Sequence, residues 1–88
     1  MIDLKALGKR VLEIRKETKL SREKFGLKIG VQGDVIRNIE DNRNKKINEP
    51  LIISISTQYG INKDWLLYGS GDKYIKSKDS VLEELKST

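Results

Sequence analysis

Leu4, Leu7, Val11 and Ile14 recur at helical spacing, with Lys, Arg and Glu common in between. That period predicts an amphipathic helix over residues 3–18, and Asp3 can cap its start. After the connection Thr18-Lys19-Leu20 the pattern restarts. Ser21 suits an N-cap, although Lys24 stands where a complete capping box has Glu or Gln. Phe25 and Ile29 form the inner face of a second helix. Gly26 within it costs about 1 kcal/mol against Ala, which close approach of another helix would explain. Gly30 ends this helix as a C′ residue and supplies a turn. Val31 plugs the core, and a third helix runs from about Gln32 to Asp41 with Ile36 and Ile39 as its buried pair. Its other positions, Gly33, Asp34, Arg37 and Asn38, are small or polar.

Asn42-Arg43-Asn44-Lys45-Lys46 is a basic polar loop. Asn48 caps a fourth helix and Pro50 fits its first turn. Ile52, Ile55, Ser56 and Tyr59 share its inner face, and Gly60 stops it. Asn62 caps a short fifth helix, Lys63–Tyr68, which offers Trp65 and Leu66 to the core. Leu27, Leu51 and Ile53 fall at outward positions. Gly69-Ser70-Gly71-Asp72 breaks the pattern and divides residues 1–72 from an extension, 73–88. There Val81, Leu82 and Leu85 lie on one side of a last short helix over Ser80–Lys86. The fold class is an all-α bundle of five helices with a short C-terminal extension.

Composition narrows the function. Eighty-eight residues, 36% of them apolar, suffice for one small core. No apolar run is long enough to span a membrane, and the N-terminal residues lack the apolar stretch of a secretory signal. A cytoplasmic location without membrane partners is expected. Cys and His are both absent, which removes thiolate chemistry, the commonest general base and the commonest metal ligand. Neither paired-carboxylate spacing nor a Gly-rich phosphate loop is present, so no enzyme, cofactor or metal is expected. The formal charge of +5 favours a polyanionic partner, although many inert small proteins are also basic.

The chain resembles the lambda-repressor/Cro-like helix-turn-helix family of phage repressors and small bacterial regulators. The residues that carry the likeness are Leu7-Gly8-Lys9-Arg10-Val11, Ser21-Arg22-Glu23-Lys24-Phe25-Gly26, Ile29-Gly30-Val31, Ile36-x-x-Ile39-Glu40 and Tyr59-Gly60-Ile61-Asn62-Lys63-Asp64-Trp65-Leu66. They span about residues 6–72, each weak alone and strong in this order and spacing. The resemblance implies that the third helix enters the DNA major groove, with Gln32, Gly33, Asp34, Arg37 and Asn38 facing base edges. It implies Arg22 over a phosphate at a helix start, with Arg43, Lys45 and Lys46 along the backbone. Arg15 and Glu40 match a buried salt bridge found in parts of the family. A homodimer acting as a repressor is the implied assembly. No small-molecule effector is expected, because there is no ligand domain.

Two positions depart from the family. Gln is frequent where Gly33 stands, and a glycine can neither read a base nor support a phosphate. Asp34 replaces a neutral polar residue. It can accept from a cytosine amino group, or merely complement the helix dipole. Val35 fits a thymine methyl or the core equally, and Arg37 fits a base or a phosphate. Tyr59 and Trp65 read as core rather than as stacking platforms. A reading of another class is a protein-interaction module of antitoxin type, with Leu27, Leu51, Ile53 and the tail as its working surface.

Overall fold

Asp3 starts the first helix by accepting hydrogen bonds from the backbone of Lys5 and Ala6. In the computed structural model, which describes residues 2–43 and 45–75, this helix, α1, spans Leu4–Thr18. It is followed by α2 (Arg22–Leu27), α3 (Gly33–Glu40), α4 (Glu49–Tyr59) and α5 (Lys63–Tyr68). Ser21, Asn48 and Asn62 cap α2, α4 and α5 with their side chains. Each thereby satisfies one of the backbone donors a helix start leaves free. Lys19, Gly60 and Gly69 end α1, α4 and α5 in the left-handed conformation. Lys19 does so without being glycine, which the sequence pattern does not announce.

The predicted second and third helices are each slightly long. α2 stops at Leu27 because its end tightens: Ile29 donates to Gly26 at 3.0 Å and Gly30 to Leu27 at 3.2 Å, three residues back. Gly30, at φ +78°, then turns the chain, and Val31 donates back to Gly26 at 2.9 Å. Gln32 and Asp41 flank α3 as caps rather than belonging to it.

The core is one cluster drawn from all five helices: Leu7, Val11, Ile14, Phe25, Ile36, Ile39, Leu51, Ile52, Ile55, Leu66 and Leu67, with Ile61 between α4 and α5. Leu51 corrects the expectation of an outward residue, being only 5% exposed. Leu51 sits beside Ile52 and one turn before Ile55, so the buried face of α4 is one residue wider than the stripe of Ile52, Ile55, Ser56 and Tyr59. Leu27 and Ile53 are exposed as expected. Tyr59 belongs to the packing. Its ring stacks on Phe25 with centroids 4.3 Å apart, and its hydroxyl donates to the Phe25 carbonyl at 2.8 Å.

Beyond the Gly69–Asp72 break, residues 73–75 stay on the bundle. Asn62 donates to the Lys73 carbonyl and Ile75 to that of Gly60, forming an antiparallel bridge between Ile61 and Tyr74. Lys73 reaches Glu13 and Glu17 on α1 at 2.6 and 3.0 Å and lies over the Trp65 ring. Tyr74 donates to Glu17 at 2.9 Å. The helix predicted over Ser80–Lys86 lies outside the described residues. Among the described residues no helix is long and apolar enough to cross a membrane.

Candidate nucleic-acid interface

The pose of α3 is set by two close approaches that only glycine permits. At Gly8 on α1, a Cβ would collide with the Ile39 carbonyl oxygen and stand 3.2 Å from that of Glu40, so α1 rests on the last turn of α3. At Gly33, the first residue of α3, a Cβ would stand 2.9 Å from Cγ of Glu23 and 3.0 Å from its backbone nitrogen. The missing side chain therefore has a packing cause: α2 occupies the space it would need. Gly26 is explained similarly, though by the turn rather than by a helix face, since a Cβ there would meet the Val31 carbonyl oxygen at 2.7 Å.

Three helix ends converge on one carboxylate. Glu40, the last residue of α3, has a side chain only 1% exposed. Arg15, in the last turn of α1, donates to it through Nε at 2.6 Å and Nη2 at 3.2 Å, and through Nη1 to the Leu20 carbonyl. Arg22, the first residue of α2, donates to it through Nε at 2.9 Å. The structure thus contains the Arg15–Glu40 pair suggested by the resemblance and adds Arg22, whose tie to Glu40 the sequence did not suggest. The hydrogen bond to Glu40 raises the Arg22 pKa above the ordinary guanidinium value, so the group stays charged.

Asp34 lies three and four residues before Arg37 and Asn38, so the three neighbour one another on the surface of α3, with Gln32 and Gly33 at its start. Gln32, Gly33, Asp34 and Arg37 line an open groove between α2 and α3 with Arg22, Glu23, Lys24, Leu27 and Val31. Asn38 lies in a different recess, with Val35, Lys45, Lys46 and Ile47. Gln32, Asp34 and Arg37 are exposed, and Asn38 and Val35 are half-buried, Val35 against the core. Asp34 and Arg37, one turn apart, form an ion pair at 3.3 Å, so each modifies what the other offers a ligand. Arg43 lies 3.9 Å from Asp41 in an exposed pair, while Lys45 and Lys46 form no salt bridge among the described residues. Lys24 and Leu27 are additional groove residues. Only their outward position relative to Phe25 could have indicated them.

Chemically, the arrangement offers a helix with a polar, mixed-donor strip and cations on both flanks. No group of three or more His, Cys, Asp or Glu that could hold a metal occurs among the described residues. Two short helices joined by a glycine turn, the second held outward by its neighbours, define a helix-turn-helix bundle. A family model described as a helix-turn-helix domain matches residues 8–71, and the chain belongs to that family. Among solved structures it is similar to the P22 c2 repressor protein in complex with synthetic operator 9T in the presence of Tl+. The two are 25% identical, with a TM-score of 0.64, over 73% of this chain and 96% of that one. Both findings agree with the lambda-repressor/Cro-like resemblance read from the sequence. No curated protein matches the chain.

Proposed function

We propose that this protein is a sequence-specific double-stranded DNA binder that regulates transcription, acting as a repressor by occluding a promoter. The observation that carries the reading is the exposed strip of α3 flanked by cations on both sides, Arg22 and Lys24 along one groove and Lys45 and Lys46 along the other. The similarity to a repressor in complex with operator DNA supports the DNA-binding reading. In this mechanism α3 enters the major groove. Gln32, Arg37 and Asn38 offer side chains able to pair with base edges, and Asp34 one able to accept from cytosine. Gly33 contributes close backbone approach only. Arg22, Arg43, Lys45 and Lys46 hold phosphates, which supplies affinity and salt dependence without sequence information.

One module of this kind buries about 600–1,000 Å² on DNA, which limits its specificity. A homodimer on two half-sites about one helical turn apart meets that limit. Selection of bound sequences from a random duplex pool tests the whole reading. A two-fold symmetric consensus is expected. The absence of any enriched sequence, together with no salt-sensitive retention on duplex DNA, would refute it. The competing interaction surface loses one of its residues, since Leu51 is buried, while Leu27 and Ile53 are exposed in separate recesses and the tail beyond residue 75 lies outside the described residues.

A further inference from the structure

We infer that Glu40 is a positioning residue for DNA contact, holding the Arg22 guanidinium in place so that its Nη groups are presented to a backbone phosphate. The inference rests on the DNA-binding reading and deepens it. Glu40 is buried and cannot itself meet a ligand, yet its Oε1 receives Arg22 Nε at 2.9 Å. That bond uses the inner edge of the guanidinium. The Nη groups make no hydrogen bond with any other described residue, the side chain is 41% exposed, and Arg22 lines the groove beside α3.

Three points make this more than a surface ion pair. Arg15 fixes Glu40 through two further bonds, one to each carboxylate oxygen, so the acceptor cannot follow Arg22 if Arg22 swings away. One carboxylate is shared between two guanidiniums, so Arg22 retains positive charge for a second anion. Arg is a long side chain that loses rotamer freedom on contact, and here that freedom is restricted before any contact forms. The planar fork then meets a phosphate in a preset orientation, which a flexible ammonium cannot match.

The sign of one substitution separates this from bulk electrostatics. Glu40→Gln removes a negative charge, and charge alone would tighten DNA binding. Positioning predicts the reverse. The experiment measures duplex affinity across a salt series for the full chain carrying Arg22→Ala, Arg22→Lys, Glu40→Gln and the Arg22→Ala/Glu40→Gln pair. Circular dichroism sets a temperature at which each is folded. Ser56→Ala, which removes a buried hydroxyl bond to Ile61 far in sequence from the network, serves as a variant lowered in stability alone.

Arg22→Ala is expected to weaken binding about tenfold, the value of one charge-assisted hydrogen bond. It should also make the slope of log K against log salt shallower by about one. Glu40→Gln should reproduce most of both effects, and the double variant should add little. Arg22→Lys, which keeps the charge, should lose most of the affinity that Arg22→Ala loses while its slope stays nearer the parent's, and Ser56→Ala should bind as the parent does. Unchanged or tighter binding by Glu40→Gln, additive losses in the pair, or parental affinity in Arg22→Lys would each overturn the inference. Should Glu40→Gln not fold, Glu40→Asp replaces it: this keeps the charge but draws the acceptor back from Arg22, so the same loss of affinity is expected, and parental affinity would overturn the inference. A parent chain that binds no duplex at low salt overturns the DNA-binding reading itself, which is evident before any variant is compared.

Discussion

Gly8→Ala tests the frame beneath α3 more directly than any change on its outer face, because local and tertiary physics predict opposite signs. Gly8 lies within α1, where an alanine would gain about 1 kcal/mol in helix propensity. Against this, the new methyl would overlap the Ile39 carbonyl oxygen and stand 3.2 Å from the Glu40 oxygen. Overpacking of this kind costs about 1–3 kcal/mol, and the upper half applies where the obstacle is backbone and cannot rotate away. The expected net effect is a loss of about 1–2 kcal/mol, which lowers Tm by about 5–15 °C in a domain of this size. Urea unfolding followed by far-ultraviolet circular dichroism reads it as a lower midpoint at unchanged m. A variant as stable as the parent, or more stable, would show that α1 and α3 are not held at the distance on which the site geometry depends.

Gly33→Gln introduces the side chain that the family resemblance leads one to expect, yet it should lose stability by about 1–3 kcal/mol and weaken duplex binding, because its Cβ meets the backbone of Glu23. Parental stability with tighter binding would reject that packing argument. Lys45→Ala combined with Lys46→Ala should make the slope of log K against log salt shallower by about two, one for each phosphate no longer neutralised. An unchanged slope on selected duplex would remove both lysines from the interface. Tyr59→Phe should cost about 1 kcal/mol by deleting the hydroxyl bond to the Phe25 carbonyl. Burial raises the Tyr59 pKa in the folded state, so its contribution is complete below the unfolded value of about 10 and is lost as pH rises through the folded value. The alkaline fall in stability should therefore be gentler in Tyr59→Phe, though not abolished, because Tyr74 is shifted the same way by Glu17. An identical alkaline profile would contradict the assignment.

What the sequence makes legible is what short-range physics decides. Side chains of Asp3, Ser21, Asn48 and Asn62 mark helix starts because capping involves residues two or three apart. The spacing of Leu7, Val11 and Ile14 marks a buried stripe because a helix has a fixed period. Leu51 escapes that logic because the period gives the centre of a stripe and not its width: α4 buries Leu51 and Ile52 and, one turn on, Ile55 and Ser56, one broad face whose edge depends on how far its neighbours reach. The Lys73–Tyr74 strap is illegible because its partners, Glu13 and Glu17, lie on α1, more than fifty residues away. At the candidate interface the helical period identifies the outward residues of α3 but not their division between two recesses. That division depends on where α2 and the loop after α3 come to lie, which no local pattern specifies.

Gly33 shows how the frame and the reading surface constrain each other. From the sequence, a glycine at this point looks like a missing reader of bases. In the fold it is what allows the start of α2 to approach α3 so closely that Glu23 occupies the vacant volume. The same approach brings Arg22, the residue before Glu23, within reach of Glu40 at the far end of α3. A larger residue at Gly33 would push α2 outward and lengthen the Arg22–Glu40 bond. The groove would then gain a side chain and lose an oriented cation beside it. The absent side chain and the tethered arginine are therefore two consequences of one helix–helix distance. Substitutions that alter this surface and leave that distance intact fall at Gln32 and Arg37, which line the α2–α3 groove, and at Asn38, which lines the neighbouring recess.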